Sequence, residues 1–197
     1  MKKLLLFFVL GSIYTVSHAQ VNFGAKAGLN LANLSMKTDI EEIGDNDNKM
    51  KVGFNVGAFA DISVSESFSL RPEAVFSLQG AAGEDKSKLN LSYVNIPVLG
   101  KYTSEGGFFA ETGPQVGFLM SAKVKDDEGS EDIKELYKGI DFSWAFGVGY
   151  NITEAIGVNG RYNLGLSNIF DTDYLTVKNN VIQVGLFYNF GGASASR

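Results

Sequence analysis

Six charged side chains stand on strand-like segments whose other residues are mostly small, polar or apolar. Three are acidic and three are basic: Asp61, Arg71, Glu73, Lys101, Glu111 and Arg161. Arginine and lysine form strong charge-assisted hydrogen bonds with carboxylates, and the arginine guanidinium offers a planar fork that fits a carboxylate. We therefore predict that these six residues form one structural charge network, provided that the fold places them on a common face.

Catalytic chemistry has little support in the sequence. The chain contains one histidine, His18, and no cysteine, and His18 lies in an N-terminal segment that we expect to be removed. The remaining chain then lacks the side chain that most readily acts as a general base near neutral pH. It also lacks the usual ligands of zinc and copper. We expect no enzyme activity, no cofactor, and no catalytic or metal-binding residue.

The acidic segment between Lys37 and Lys49 raises the alternative of a calcium site. An EF-hand loop that begins at Asp45 would need glycine at its sixth position, where Met50 stands. The segment is therefore interpreted as a solvated acidic loop, with an irregular surface calcium site as the alternative.

The elements that carry the charges are strands of alternating character. In the segment from Lys51 to Val64 every even-numbered residue is apolar, and most odd-numbered residues are small or polar. A period of two indicates an extended strand with two different faces. The pattern recurs eight times, at residues 21–32, 51–64, 68–79, 89–102, 109–122, 140–151, 156–167 and 181–190. In the fourth run the apolar positions change from odd to even near Tyr93, which predicts a β-bulge.

The connections between the runs alternate between long and short. Long segments follow the first, third, fifth and seventh runs, including residues 34–49, 123–138 and 168–180, and short turns follow the others. This alternation is typical of an outer-membrane barrel, in which periplasmic turns are short and surface loops are long. The fifth connection also contains a segment, residues 131–138, that favours a short helical turn.

The two faces indicate which side looks at the membrane. The apolar face is continuous, with odd positions outward in the first run and even positions outward in the second, third and fifth to eighth. The opposite face carries glycine, asparagine and isolated charges, as a narrow lumen requires. Six aromatic residues lie beside the short turns or the C-terminus, where an aromatic girdle is expected: Phe68, Tyr102, Phe108, Tyr150, Tyr188 and Phe190. A soluble lipocalin-like or sandwich fold remains the alternative.

The N-terminus has the pattern of a secretory signal peptide. Lys2 and Lys3 precede an apolar run, and Ser17 and Ala19 provide the small residues of a cleavage site before Gln20. We expect residues 1–19 to be the signal peptide, residues 20–190 the barrel domain, and residues 191–197 a flexible tail. The exported chain would keep 15 of its 17 basic residues against 22 acidic ones. This acidic balance argues against nucleic acid as a partner.

Several motifs resemble a known family. The segments NFGAKAGLNLANLS, YVNIPVLGKY, ETGPQVGFL and VGLFYNF, in this order, resemble the PorT-like outer-membrane β-barrel proteins of Bacteroidetes. The resemblance covers the chain after residue 19 and implies an outer-membrane location. Founding members of that family act in secretion and gliding, but the resemblance does not carry that role over.

The expected fold is all-β: an eight-stranded antiparallel up-and-down transmembrane β-barrel with both termini in the periplasm. The expected function is non-enzymatic, with a structural or surface-interaction role and a lumen plugged by the six charges. The alternative is a component of a secretion or transport system, or a small pore. The expected partner is the lipid bilayer of the outer membrane, and a surface or secretion-complex protein is a further candidate.

Overall fold

The computed structural model describes residues 20–38, 49–83, 87–126, 129–171 and 175–193. Eight long strands account for most of them, as expected for a chain rich in alternating β-branched, aromatic and small residues. The strands are β1 (Val21–Thr38), β2 (Lys49–Ser63), β3 (Phe68–Ala82), β4 (Lys88–Thr103), β5 (Phe108–Lys125), β6 (Ile140–Asn151), β7 (Ile156–Gly165) and β8 (Leu175–Asn189). Within the described residues, no helix is long and apolar enough to span a bilayer.

The eight strands close into one antiparallel barrel. Each strand pairs with its sequence neighbours, and β1 also pairs with β8, so that no strand of the ring is left as an edge. Closure gives every strand a hydrogen-bonding partner on both sides, which is what a membrane-spanning sheet requires. The predicted eight-stranded antiparallel barrel is confirmed.

The register gives the barrel its stagger. Successive Cα partners lead from Tyr93 through Ser77, Asn55 and the remaining strands back to Thr103, ten residues further along β4. The barrel therefore has eight strands and a shear of ten residues. Residues at one height are accordingly offset from their direct partners by slightly more than one position per strand.

The predicted assignment of faces is confirmed by side-chain exposure. Val56 points outward and is 49% exposed, whereas the adjacent Asn55 is 3% exposed. The outer face carries most of the exposed large apolar residues, and the inner face carries the buried asparagines, glutamines and charges.

Aromatic residues surround the end of the barrel at which the short turns lie, here called the short-turn end. The six predicted girdle residues are all exposed there and form three ring pairs, with centroids 5.0 Å apart for Phe68–Tyr102, 4.7 Å for Phe108–Tyr150 and 5.7 Å for Tyr188–Phe190. In the turn between β4 and β5, Gly107 has a φ of 83°, which favours glycine.

The predicted bulge lies at the expected height but on the neighbouring strand. Ser92 pairs with Ser121 and Tyr93 with Leu119, so that Met120 of β5 is the extra residue. Strand β4 keeps its alternation, with Leu91 and Tyr93 both pointing inward and fully buried. The change in pattern near Tyr93 therefore has another cause. Apolar residues line the lumen at the end that carries the long connections, and the inner and outer faces of the strand are not exchanged.

The connections at the other end, here called the long-loop end, are more ordered than the sequence predicted. Strand β1 extends beyond the expected loop start to Thr38. The connection between β5 and β6 contains a short strand, Ser130–Asp132, paired with β5, and a 3₁₀ turn, Lys134–Leu136, that begins later than the predicted helical turn.

Three predictions fall wholly or partly outside the described residues. The signal peptide lies there entirely, and so does most of the acidic segment with the alternative calcium site, residues 39–48. In the C-terminal tail, a 3₁₀ turn spans Phe190–Ala193, and residues 194–197 are outside the described part.

Candidate functional site

The structure brings the six predicted charges together near the short-turn end of the lumen. Asp61 of β2 accepts hydrogen bonds from two cations on neighbouring strands. Arg71 of β3 donates to it through Nε, 2.7 Å from Oδ1, and through Nη2 to Oδ2. Lys101 of β4 donates from Nζ to Oδ2 at 3.2 Å. One carboxylate thus joins three consecutive strands.

Arg161 of β7 joins carboxylates from the opposite wall. Its Nη1 and Nη2 donate to the two carboxylate oxygens of Glu73 at 2.7 and 2.8 Å, a bidentate pair. Its Nε also donates to Oε1 of Glu111 at 3.0 Å. Because Glu73 lies on β3 and Glu111 on β5, the Arg161 guanidinium bridges strands across the lumen.

A seventh residue completes the network, Lys26 of β1. Its Nζ donates to Oε2 of Glu73 at 3.1 Å, and the side chain is almost fully buried. Arg71 Nη1 lies 3.5 Å from Oε2 of Glu111 and so connects the Asp61 group to the Arg161 group. Lys26 was not among the six residues predicted to form the network. The network therefore holds four cations and three anions, not three of each.

The network is almost fully buried. The exposed fraction of its members ranges from 2% for Arg71 to 9% for Asp61. Buried charges are tolerated only when they are paired and hydrogen-bonded, and each of these seven side chains meets that condition. Removal of one member would leave its partner as an uncompensated buried charge.

Three phenylalanines form a floor beside the charges. The rings of Phe59, Phe109 and Phe187 pack edge to face. The centroid of the Phe187 ring lies 6.0 Å from that of Phe59 and 5.7 Å from that of Phe109. Arg71 stacks over Phe59 at 4.3 Å, and the Lys101 ammonium lies 4.5 Å from the Phe109 centroid. These cation–π contacts couple the aromatic floor to the charge network.

Each ring of the floor rests on a glycine of an adjacent strand. The ring tips of Phe59, Phe109 and Phe187 occupy the space that a Cβ would take at Gly24, Gly149 and Gly157 respectively. At this level the inner-face glycines predicted for a narrow lumen therefore have a packing role, because the absence of a side chain lets an aromatic ring pack against the backbone.

Below the floor, a polar vestibule of about 590 Å³ opens at the short-turn end. Its lining includes Asn22, Glu105 and Glu154, and it ends at Lys101 of the charge network. The vestibule thus meets the network at its inner end.

An apolar cap fills the lumen at the long-loop end. Its buried members come from β1, β3, β4, β5, β8 and the connection before β8: Leu34, Ala81, Leu91, Tyr93, Leu119, Ala122, Ile169 and Val177. Ile133 and Tyr137 of the connection between β5 and β6 pack against it, and the Tyr137 ring meets the Phe170 ring edge to face. Burial raises the pKa of the Tyr137 phenol.

The connection between β5 and β6 thus takes part in closing the interior. Its described charged residues are exposed, whereas Ile133 and Tyr137 pack against the cap. The sequence signal was present, since Ile133 and Tyr137 interrupt the run of charges.

The chemistry of the lumen is ion pairing and packing. Among the residues that the structure describes, no three His, Cys, Asp or Glu side chains are grouped so that they could hold a metal ion.

The comparisons agree with the barrel architecture. The model of the outer membrane protein beta-barrel domain family matches residues 17–171, which include β1 to β7. No curated protein sequence matches the chain.

Several solved structures are similar to this chain at low sequence identity. Neisserial surface protein A is 13% identical, with a TM-score of 0.59 over 87% of this chain and 99% of that chain. Ail, the attachment invasion locus protein of Yersinia pestis, was solved with the heparin analogue sucrose octasulfate. It is 16% identical, with a TM-score of 0.48 over 87% and 99% of the two chains. OprG from Pseudomonas aeruginosa is 13% identical, with a TM-score of 0.47 over 89% and 98%.

The family match covers well over half of the chain, and the closed barrel with its apolar outer wall is the fold that this family model describes. An outer-membrane location follows from both observations. The chain belongs to the outer membrane protein beta-barrel domain family.

Proposed function

We propose that this chain is a closed, non-enzymatic outer-membrane barrel with a structural or surface-interaction role. The observation that carries the proposal is the charge network across the lumen. Arg161 reaches from β7 to Glu73 on β3, so that a solute passing through the barrel would have to separate a bidentate ion pair.

Two further layers support a closed lumen. The aromatic floor lies beside the network, and the apolar cap fills the long-loop end. An eight-stranded barrel encloses little more than its own side chains, so that a few such layers are enough to close it. With a closed interior, the surfaces left for function are the loops and the outer wall.

The domain boundaries are part of the same proposal. Residues 1–19 act as a cleavable signal peptide, residues 20–190 form the barrel domain, and residues 191–197 form a tail. N-terminal sequencing of protein from outer membranes should begin at Gln20. A start at Met1 would contradict the cleavage.

The second candidate function is a component of a secretion or transport system. It rests on the ordered motifs that resemble PorT-like proteins of Bacteroidetes. A closed lumen favours a version of this role in which the barrel anchors or contacts a protein partner, and it argues against the barrel as the conduit.

Two measurements test these proposals, the first for the closed barrel and the second for the role in secretion. In a liposome-swelling assay, vesicles containing the purified protein should be no more permeable to small sugars than empty vesicles. Swelling at a rate above that of empty vesicles would refute the closed barrel. Crosslinking in intact outer membranes, followed by mass spectrometry, should not recover subunits of a secretion machine at a fixed ratio. Their recovery would favour the second candidate.

A further inference from the structure

A belt of uncharged polar side chains lies at mid-lumen, above the charge network and below the apolar cap. The stagger of the barrel puts one inner-face residue from each strand at this height. Seven of the eight are polar: Asn30, Asn55, Ser77, Asn95, Gln115, Ser143 and Asn163. All seven are buried, with exposed fractions of 6% or less.

One side of this belt satisfies its own hydrogen bonds. Asn30 Nδ2 donates to the carbonyl oxygen of Phe54 at 2.9 Å, to Ser77 Oγ at 2.9 Å and to the carbonyl oxygen of Leu78 at 3.0 Å. Asn55 donates to Asn30 Oδ1 at 2.7 Å. This side of the belt forms a compact network of protein groups alone.

On the other side Gln115 Nε2 donates to Ser143 Oγ at 2.9 Å, but several neighbouring polar atoms have no protein partner. Both Nδ2 and Oδ1 of Asn163 are buried and unpaired, and so is Nδ2 of Asn95. One level above, Tyr93 Oη and Asn179 Oδ1 are unpaired. Each of these residues is at least nine-tenths buried. Such atoms are costly unless something bonds to them.

We propose that this side of the belt binds a cluster of ordered water molecules in a chamber closed by the charge network below and the apolar cap above. The proposal concerns the interior of the barrel and does not depend on the barrel's role at the cell surface.

Water fits the unpaired atoms better than other small ligands. The set mixes donors, such as the amides of Asn95 and Asn163, with acceptors, such as Asn163 Oδ1 and Asn179 Oδ1. A buried water molecule donates and accepts, and typically makes about three hydrogen bonds to buried polar groups that lack other partners. A bound cation would leave the amide donors unsatisfied, and a bound anion would leave the carbonyl acceptors unsatisfied.

Several residues on the level beneath the belt are small. At the level of Arg161 the inner face carries the small residues Gly28, Gly57, Gly113 and Ala145. On the unpaired side, Gly117 sits directly under the Asn95 side chain, with Tyr93 and Asp141 beside it. Asp141 accepts a hydrogen bond from Ser167 at 2.8 Å, and no described residue forms an ion pair with it. Water molecules next to Asp141 would also stabilise its carboxylate.

The direct test is NMR of the perdeuterated wild-type protein in nanodiscs. Rotating-frame Overhauser transfer should connect water to the side-chain amide protons of Asn163 and Asn95, and should be absent for Asn30. No long-lived water at Asn163 would overturn the proposal. The spectra should be the same in sodium, calcium and choline chloride. Saturable shifts of Asn163 or Asn95 with one cation would replace the water site by a cation site.

A pair of variants also tests whether water is bound, because a dry and a hydrated chamber predict opposite changes in the stability of the fold. If the chamber is dry, Asn163→Leu replaces an unsatisfied amide by an apolar group of similar size and should stabilise the fold. If water is bound, the substitution removes its partners, and the ratio of folded to unfolded protein should fall about fivefold or more. The matched control, Asn30→Leu, should lower the ratio in either case because protein groups satisfy Asn30. Stabilisation by Asn163→Leu would overturn the proposal.

Discussion

At the scale of single residues, glycines on the inner face decide how closely aromatic rings approach the barrel wall. Gly157 on the inner face and Gly160 on the outer face lie on the same strand, three residues apart, and their surroundings differ. A Cβ at Gly157 would meet the Phe187 ring and the carbonyl oxygen of Tyr150, whereas a Cβ at Gly160 would meet no atom within 4 Å. The same residue type therefore has a packing role at one position and none at the other.

We predict that Gly157→Ala destabilises the barrel by about 1–3 kcal/mol, because the Phe187 ring must leave its seat. Gly160→Ala is the matched control and should be neutral or slightly stabilising, because alanine restricts the unfolded chain. Urea unfolding in liposomes would measure both. Equal effects of the two substitutions would contradict the ring-on-glycine packing.

The ion pairs also act at the residue scale. Arg161→Ala would leave Glu73 and Glu111 with less compensation in a buried site, and we predict a loss of about 3–5 kcal/mol in unfolding free energy. Glu154→Ala, which removes an exposed carboxylate in a short turn, should change the unfolding free energy by less than about 0.5 kcal/mol. A loss at Arg161 no larger than at Glu154 would show that the network is hydrated and weak.

At the scale of elements, each strand has to present an apolar residue to lipid at every second position. Val56 lies on the outer face near the middle of β2, and Val64 lies beyond the end of the same strand and is 74% exposed. Val56→Arg should therefore cost about 2–4 kcal/mol, and Val64→Arg should cost about 0–1 kcal/mol. Heat-dependent gel mobility, which separates folded from unfolded barrels, would rank the two. A reversed ranking would contradict the outward assignment of even positions in β2.

The connections at the long-loop end are held by the apolar cap. Ile169 is fully buried there, and Leu136 of the neighbouring connection is 51% exposed. Ile169→Ala should loosen both connections, because a buried aliphatic side chain is lost. Limited trypsin cleavage at Lys134 and Lys138 should then become faster than in the wild type, and Leu136→Ala should leave it unchanged. Unchanged cleavage in Ile169→Ala would show that the cap does not hold these connections.

Strands and faces were predictable because alternation is a local property of the sequence. Lys51 to Val64 shows both faces without any knowledge of neighbouring strands. The apolar cap was not predictable in the same way, since Leu91 and Tyr93 are inward residues whose apolar character looks like that of lipid-facing ones. Their direction depends on partners such as Leu34 and Ile169, which are distant in sequence.

The charge network was predictable in part, less fully than the strands and more fully than the apolar cap. Alternation placed six charges on the inner face, and the short turns gave their approximate heights, so that their association was expected. The bidentate pairing of Arg161 with Glu73 was not, because it depends on a stagger of ten residues that only the full set of strand pairings reveals. Lys26 was omitted for a similar reason: its height relative to Glu73 depends on the registers of β1 against β2 and of β2 against β3.

At the scale of the whole molecule, the barrel is a wall of hydrogen-bonded strands around layers of different chemistry. From the short-turn end these are the aromatic floor with the charge network, the polar belt, and the apolar cap. The wall suits a membrane because its outer face is apolar and its backbone groups are paired. Ion pairing closes the interior near the short-turn end, and apolar packing closes it at the long-loop end.

Single-channel recording in planar lipid bilayers tests the closed barrel most directly. Purified wild-type protein, shown to be folded by its heat-dependent gel mobility, should insert without producing steady current steps at any applied voltage that the bilayer withstands. Reproducible unitary currents that scale with salt concentration would contradict the closed lumen, and would favour the barrel as a small pore.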